Sequence, residues 1–236
     1  MLFAVVGTDG AGKSTVTRLV SEALESDGQS VAHIDRWHIV DNPLYPATRF
    51  MRPDVPDTRL CVAEMPNPAR FLFLVWSIGM ALLGRKTASG DAGRHTEMLD
   101  GYWMKHAASE IVYGLDRVWV ENVVSALPVP DVTIYLRITP EAAWQRKAGD
   151  VVPYECGMDE SCSRDRFLRH QHAIQVLLDA WAARHGWMVV DADRPLADVV
   201  TQVQGAIRAA SRPAASAGPG DPGVRLDGSP AHHGVQ

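Results

Sequence analysis

Apolar positions along this chain come in short blocks and in helical rhythm, and the alternation between the two predicts the fold. Leu2 to Val6 is an apolar run without alternation, the pattern of a parallel strand buried on both faces. Ser14 to Leu24 follows with Val16, Leu19, Val20, Ala23 and Leu24 on one helical face, and Asp27-Gly28 closes it. Further strands are predicted over Ser30 to Asp35, His95 to Leu99, Asp131 to Ile138 and Trp187 to Val190. Between them lie predicted helices over Ala69 to Leu83, Trp103 to about Tyr113, and Asp116 to Ala126. Thr139 and Pro140, as N-cap and first residue, open another that ends near Arg146-Lys147. Arg164 to Arg184 is a long amphipathic helix, and Leu196 to Ala209 is the last. This order predicts an α/β fold with a five-stranded parallel sheet, right-handed crossovers and helices on both faces.

Three stretches break the rhythm. Asn42 to Pro68 is rich in proline and predicts irregular chain with at most a short helix. Gly84 to Gly93 predicts a loop carrying Arg85 and Lys86, and Ala148 to Ser163 a polar connector without periodicity. From Ser211 onward Pro, Ala, Gly and Ser dominate, which predicts a disordered tail over 211–236 behind one domain over 1–210.

Composition narrows the classes. With 236 residues, 46% apolar and 22% charged, the chain suits one globular domain, and its longest apolar run is too short for a membrane span. The net charge of −5 argues against a generally basic nucleic-acid surface and leaves a small molecule as the expected partner. The odd set of cysteines, Cys61, Cys156 and Cys162, holds no C-x-x-C pair, and the first apolar run lacks a basic leader. Both point to a reduced, cytoplasmic protein.

The chemistry concentrates after the first strand. Gly7, Gly12, Lys13 and Ser14 fit the spacing G-x-x-x-x-G-K-[ST], between a strand and a helix as that phosphate-cradling loop requires. Backbone N–H groups from Gly10, Ala11, Gly12 and Thr15 and the helix N-terminus would face phosphate oxygens. Lys13 would reach the β and γ phosphates of ATP, and the Ser14 hydroxyl would hold Mg²⁺. Asp35, Arg36 and Trp37 sit where the second strand ends, the edge at which open α/β sheets bind ligands. Asp35 there suits a general base or a cap, Arg36 a phosphate clamp or a surface charge, and Trp37 a stacking surface or packing. Asp100, ending the third strand, is placed to orient the metal. Arg146 and Lys147 open the connector, whose stretch near 146–163 suits a lid closing over transferring phosphate. Arg49, Arg52 and Arg59 are further candidates for an anionic acceptor.

Taken together, these residues resemble the thymidylate kinase family over nearly all of 1–210. Asp9-Gly10-Ala11-Gly12-Lys13-Ser14-Thr15 is similar to its D-G-A-G-K-[ST]-T. Pro130 to Leu136 with Thr139-Pro140-Glu141 is similar to its P-D-L-T-I-Y-L-x-x-x-P-E, and Val189-Val190-Asp191-Ala192 resembles its late V-D-A loop. The resemblance implies a P-loop kinase fold, ATP and Mg²⁺, Asp9 near the acceptor phosphate, catalytic cations from Arg146 or Lys147, Asp191 and Ala192 beside the adenine, and a homodimer.

The acceptor side departs from that pattern. Where the family carries D-R-Y and later A-Y-Q, this chain has Asp100-Gly101-Tyr102 and Ala108-Ser109-Glu110, and Phe71 to Met80 holds no basic residue. Losing a bidentate arginine is not a neutral change at a phosphate site. Three readings follow: a kinase of a nucleoside monophosphate or similar acceptor, using Arg36, Arg49, Arg52 or Lys105 as replacement cation; a kinase of a nucleoside or other hydroxyl compound, with Asp35 as base; and a nucleotide-binding protein without catalysis. Arg70, Tyr102 and Glu110 complete the acceptor-side candidates.

Overall fold

The computed structural model describes residues 1–45, 48, 51, 55–84 and 96–211. Its strands β1 (Leu2–Val6), β2 (Val31–Ile34), β3 (Thr96–Asp100), β4 (Val132–Arg137) and β5 (Met188–Asp191) form a parallel sheet in the order β2-β3-β1-β4-β5. The helices are α1 (Lys13–Ser26), α2 (Val55–Glu64), α3 (Asn67–Leu83), α4 (Trp103–Val112), α5 (Arg117–Val124), α6 (Pro140–Lys147), α7 (Arg164–His185) and α8 (Leu196–Ser211).

Alternation along β1 divides the core between the two faces of the sheet. Phe3 and Val5 pack with Val16, Val20 and Leu24 of α1 and with Val203 and Ile207 of α8. Ala4 and Val6 join the other cluster, with Phe71 and Ile78 of α3, Met104 of α4, and Ile174 and Trp181 of α7. Strand and helix ends match the sequence reading to within two or three residues, and Thr139 caps α6 as expected, its hydroxyl accepting from Ala142 N at 3.3 Å.

The proline-rich stretch is the correction. It contains the ten-residue α2, and α3 begins two residues earlier than expected. The prolines punctuate helix starts rather than break helices: Pro56 and Pro68 occupy first turns, where a missing N–H leaves no hydrogen bond unmade, and Pro66 is the α3 N-cap. Arg49, Arg52, Arg85, Lys86 and the tail from residue 212 lie outside the described residues. No helix among the described residues is long and apolar enough to cross a membrane.

Candidate functional site

The glycines of the first loop are where backbone geometry demands them. Gly12 holds a positive φ of 85° as the N-cap of α1. A Cβ at Gly7 would lie 2.7 Å from the Leu136 carbonyl oxygen, so the loop rests directly on β4. Lys13 starts α1, and its Nζ donates to the carbonyls of Gly7 (3.2 Å) and Thr8 (2.8 Å), curling back over the loop it belongs to. Burial pushes its ammonium pKa down against the opposing charge of Asp9. Ser14 is exposed at the loop mouth, and Asp100 ends β3 beside Val5 of β1.

Asp9 is the hub of a network beside the loop. Burial alone would raise its pKa, but Lys105, Lys13 and Lys147 hold the carboxyl well below the usual carboxylate range. Lys105 Nζ lies 3.0 Å from Oδ1 and 3.3 Å from Oδ2, and Gln171 of α7 accepts from the Asp9 backbone N–H at 3.1 Å. Across the cavity, Asp35 caps a single 3₁₀ turn (Arg36–Ile39) by accepting from Trp37 N at 2.8 Å. The Arg36 guanidinium sits 4.5 Å above the Trp37 ring and donates to His106 Nε2 at 2.6 Å. Since arginine has no acceptor atom, this contact puts the His106 proton on Nδ1, which is buried and has no partner among the described residues. Burial, then the charges of Arg36, Lys105 and Lys13, push the His106 pKa well below its usual value, so the ring stays neutral. Burial lowers the Arg36 pKa to about 10, which still leaves it charged at pH 7. Arg59 approaches the same indole at 5.7 Å, and neither arginine has a carboxylate ion-pair partner among the described residues.

The connector after α6 turns sharply through Ala148 (φ 48°) and Gly149 (φ 91°) and brings a short 3₁₀ turn, Pro153–Glu155, against the site. Lys147 Nζ pairs with Glu155 at 2.9 Å. Burial first, then Asp9, raises the Glu155 pKa. Arg146 points elsewhere: its Nη2 donates to Ala192 O at 2.5 Å, and its Nη1 lies 3.9 Å from where a Gly12 Cβ would stand. Arg146 thus lies beside Gly12 and is held by the carbonyl of Ala192, just after β5.

A cavity of about 870 Å³ runs from the glycine-rich loop to the turn after β2 and the first turns of α4. Of the residues singled out in the sequence, Asp9, Lys13, Ser14, Asp35, Arg36, Trp37, Arg59, Asp100, Tyr102, Lys105 and Lys147 line it; Arg70, Glu110, Arg146, Asp191 and Ala192 do not. Arg70 and Glu110 are paired with each other. Nε of Arg70 meets Oε1 at 2.6 Å and Nη2 meets Oε2 at 2.9 Å, with side chains 3% and 0% exposed. Asn67 Oδ1, Met65 O and the Tyr154 hydroxyl complete that network. Two acceptor-side candidates are thus turned into the interior, because each satisfies the other's charge away from water. The Tyr102 hydroxyl is likewise spent, donating to Pro128 O at 2.7 Å, and Trp37 is already covered by Arg36. Polar residues that sequence reasoning missed include Glu64, His106, Asp150, Tyr154 and Glu155 in the lining, and Gln171 against Asp9. Only His106 offered a signal, lying five residues after Gly101 and one after Lys105 on the helix behind the third strand.

Comparison with known proteins agrees with the motifs. The chain matches no protein-family model. It is 32% identical over 112 residues to probable thymidylate kinase 2 of Saccharolobus solfataricus, a match covering 44% of this chain and 53% of that protein. The match thus spans about half the length of that curated relative. Among solved structures, deoxyadenosine kinase from M. mycoides with bound dCTP aligns with a TM-score of 0.54 at 16% identity, over 89% of this chain and 100% of that one. The fold is that of a P-loop kinase, and the resemblance read from the motifs holds at that level.

Proposed function

We propose that this protein is an ATP-dependent kinase that transfers the γ-phosphoryl group to a phosphate-bearing small molecule, a nucleoside monophosphate or a similar acceptor. One observation carries the reading: Arg36, charged and without a carboxylate partner among the described residues, is held at the cavity by a neutral histidine. A buried cation held by a neutral partner keeps its charge for an anion. Arg36, with Arg59 beside it, takes the role of the arginine whose place in the family pattern is Gly101. Lys105 stands on the same side, bridging from the acceptor to Asp9.

In this reading Lys13 and the loop N–H groups hold the donor phosphates, and Arg146, between Gly12 and Ala192, closes the nucleotide side. A phosphate oxygen of the acceptor attacks the γ-phosphorus, the bond to the β-bridging oxygen breaks, and ADP leaves with that electron pair. Lys147 moves from Glu155 to the transferring group as charge develops on it, and the connector excludes water. Ser14 and Asp100 both offer hard oxygens at the cavity, the donor type Mg²⁺ prefers. Among the described residues no group of three or more His, Cys, Asp or Glu could hold a metal, so phosphates and water would supply the remaining ligands. The ion would neutralise charge between the β and γ phosphates.

A second reading is supported by Asp35, whose Oδ1 accepts from Trp37 N while the residue lines the cavity at the carboxyl end of β2. That is the place for a base serving a hydroxyl acceptor. The two readings separate in one experiment, an ATP and Mg²⁺ acceptor screen with monophosphates and free hydroxyl compounds in parallel. Lys13→Ala should abolish transfer in either case. Arg36→Met should raise the acceptor KM by about tenfold or more, with Asp35→Asn nearly silent. Transfer abolished by Asp35→Asn and indifferent to Arg36→Met would establish the hydroxyl reading instead, and full transfer by Lys13→Ala would overturn both.

A further inference from the structure

Of the connector residues that line the cavity, Tyr154 alone is aromatic. It is pinned at both ends. The Tyr113 hydroxyl of the segment after α4 donates to the Tyr154 carbonyl and also meets His170 Nε2 at 3.1 Å. The Tyr154 hydroxyl donates to Glu110 Oε1 at 3.3 Å, and the Tyr113 and Tyr154 rings lie 5.5 Å apart. Burial first, then Glu110, raises the Tyr154 pKa well above its usual value, so the side chain is a neutral phenol.

What the fixed ring meets is positive charge. Lys105 Nζ stands 5.2 Å from its centroid, and the guanidinium carbon of Arg70 5.6 Å. Arg70 is committed to Glu110 in the interior, whereas Lys105 lines the cavity. The ammonium of Lys105 therefore has two kinds of neighbour, the Asp9 carboxylate at 3.0 and 3.3 Å and the face of a neutral ring. These act differently. A lysine is a point charge on a flexible four-carbon stem, and aiming it costs rotamer freedom. A carboxylate aims the ammonium and offsets its charge, while an aromatic ring attracts it through the quadrupole and leaves the charge available. Arg36 is held in the same way, by a neutral histidine.

We infer that Tyr154 is a positioning residue: its ring, carried on the connector, holds the Lys105 ammonium in place while that ammonium is shared between Asp9 and an incoming anion. The inference rests on the phosphate-acceptor reading above and adds to it a residue that acts through Lys105. Because ring and ammonium belong to different elements, the connector and α4, docking of the connector becomes part of anion binding. The hydroxyl bond to Glu110 is a separate matter, since a ring without it still presents its face. Loss of an aromatic face beside an ammonium in a largely desolvated site weakens anion binding by about fivefold.

The test uses the full chain with ATP, Mg²⁺ and the thymidine, deoxycytidine, deoxyadenosine and deoxyguanosine monophosphates, with the free nucleosides in parallel. For the monophosphate turned over best, Tyr154→Leu should raise KM about fivefold with kcat and the ATP KM little changed, and Tyr154→Phe should restore KM to within about twofold of wild type. In a Lys105→Met background Tyr154→Leu should add nothing further, which a merely structural role would not produce. A measurement without acceptor keeps the geometry testable if a variant folds poorly. In protein labelled at lysine Cε, the Lys105 ε-methylene protons, assigned by their loss in Lys105→Met, should be shifted upfield by the ring current in wild type and in Tyr154→Phe, and not in Tyr154→Leu. Phe and Leu variants equally impaired, a Tyr154→Leu effect undiminished in Lys105→Met, or a Lys105 signal without the ring shift in wild type would each overturn the inference and leave the phosphate-acceptor reading standing. Transfer to the free nucleosides alone, or to neither class, would overturn that reading and this inference with it.

Discussion

Glu110→Ala should unfold this protein more readily by a margin set by burial, without a direct effect on acceptor recognition. Removing the carboxylate leaves the Arg70 guanidinium charged, 3% exposed at its side chain, and deprived of the bonds at 2.6 and 2.9 Å. Asn67 Oδ1 and Met65 O still accept from it, but neither is charged. An uncompensated buried charge of this kind costs about 3–5 kcal/mol. At about 2–4 °C per kcal/mol for a chain of this length, the melting temperature should fall by roughly 10 °C. The Tyr154 hydroxyl, 3.3 Å from Oε1, also loses a partner, so the connector should become easier to cleave by protease.

The double substitution Arg70→Met with Glu110→Leu distinguishes a structural pair from a binding pair. It removes both charges at similar volume, and such replacements are often neutral or stabilising. Urea unfolding followed by circular dichroism should therefore place the double variant within about 2 kcal/mol of wild type and well above Glu110→Ala. With stability restored, the acceptor KM should be within about threefold of wild type, since neither side chain lines the cavity. An acceptor KM raised more than tenfold in a stably folded double variant would refute the reasoning, and so would a Glu110→Ala protein as stable as wild type.

Two more perturbations follow from the buried histidines. His170 is 5% exposed, and its pKa is pushed down to about 4 chiefly by burial, with Asp9 opposing. Unfolded chain takes up that proton near pH 6.5, so stability is full above that pH and falls between it and about 4, by up to about 3 kcal/mol. Urea midpoints at pH 7.5, 5.5 and 4.5 should fall less steeply in His170→Gln, and identical slopes would sink the assignment. His106→Ala should raise the acceptor KM about fivefold with kcat little changed, because Arg36 loses the partner at 2.6 Å that aims it; an unchanged KM would show that Arg36 needs no such positioning.

The donor half of the site was legible because local sequence encodes it. The glycines of the first loop answer to backbone demands at single positions, and Lys13 and Ser14 follow at fixed offsets on one helix turn. Strand β1 was equally plain, since a strand buried on both faces needs an unbroken apolar run. The acceptor half was less legible because tertiary pairing decides it. Whether Glu110 reads a ligand or neutralises Arg70 depends on where α3 and α4 meet, forty residues apart in the chain. Gln171 reaches Asp9 from 162 residues away, and no spacing rule announces that contact. The helix α2 was hidden for a different reason: prolines read as breakers are helix starters when they fall in the first turn.

Gly101 shows why the cations of this site are where they are. It holds a positive φ of 78° in the turn from β3 to α4, with nothing within 4 Å of a notional Cβ. An arginine there would have room but would adopt a left-handed backbone at a cost of about 1–2 kcal/mol. The positive charge instead comes from Lys105, one helical turn further on, and from Arg36 across the cavity on the turn after β2. Lys105 is already paired with Asp9 at 3.0 Å, so an arriving anion must share it, whereas Arg36 needs only to keep its neutral histidine. On the phosphate-acceptor reading, Arg36 should therefore contribute the larger part of anion affinity. Gly101→Arg should add little to acceptor binding in the presence of Arg36, and should partly rescue Arg36→Met if the two guanidiniums address the same phosphate. Acceptor titrations of the single and double variants decide it, and strictly additive effects would refute a shared site.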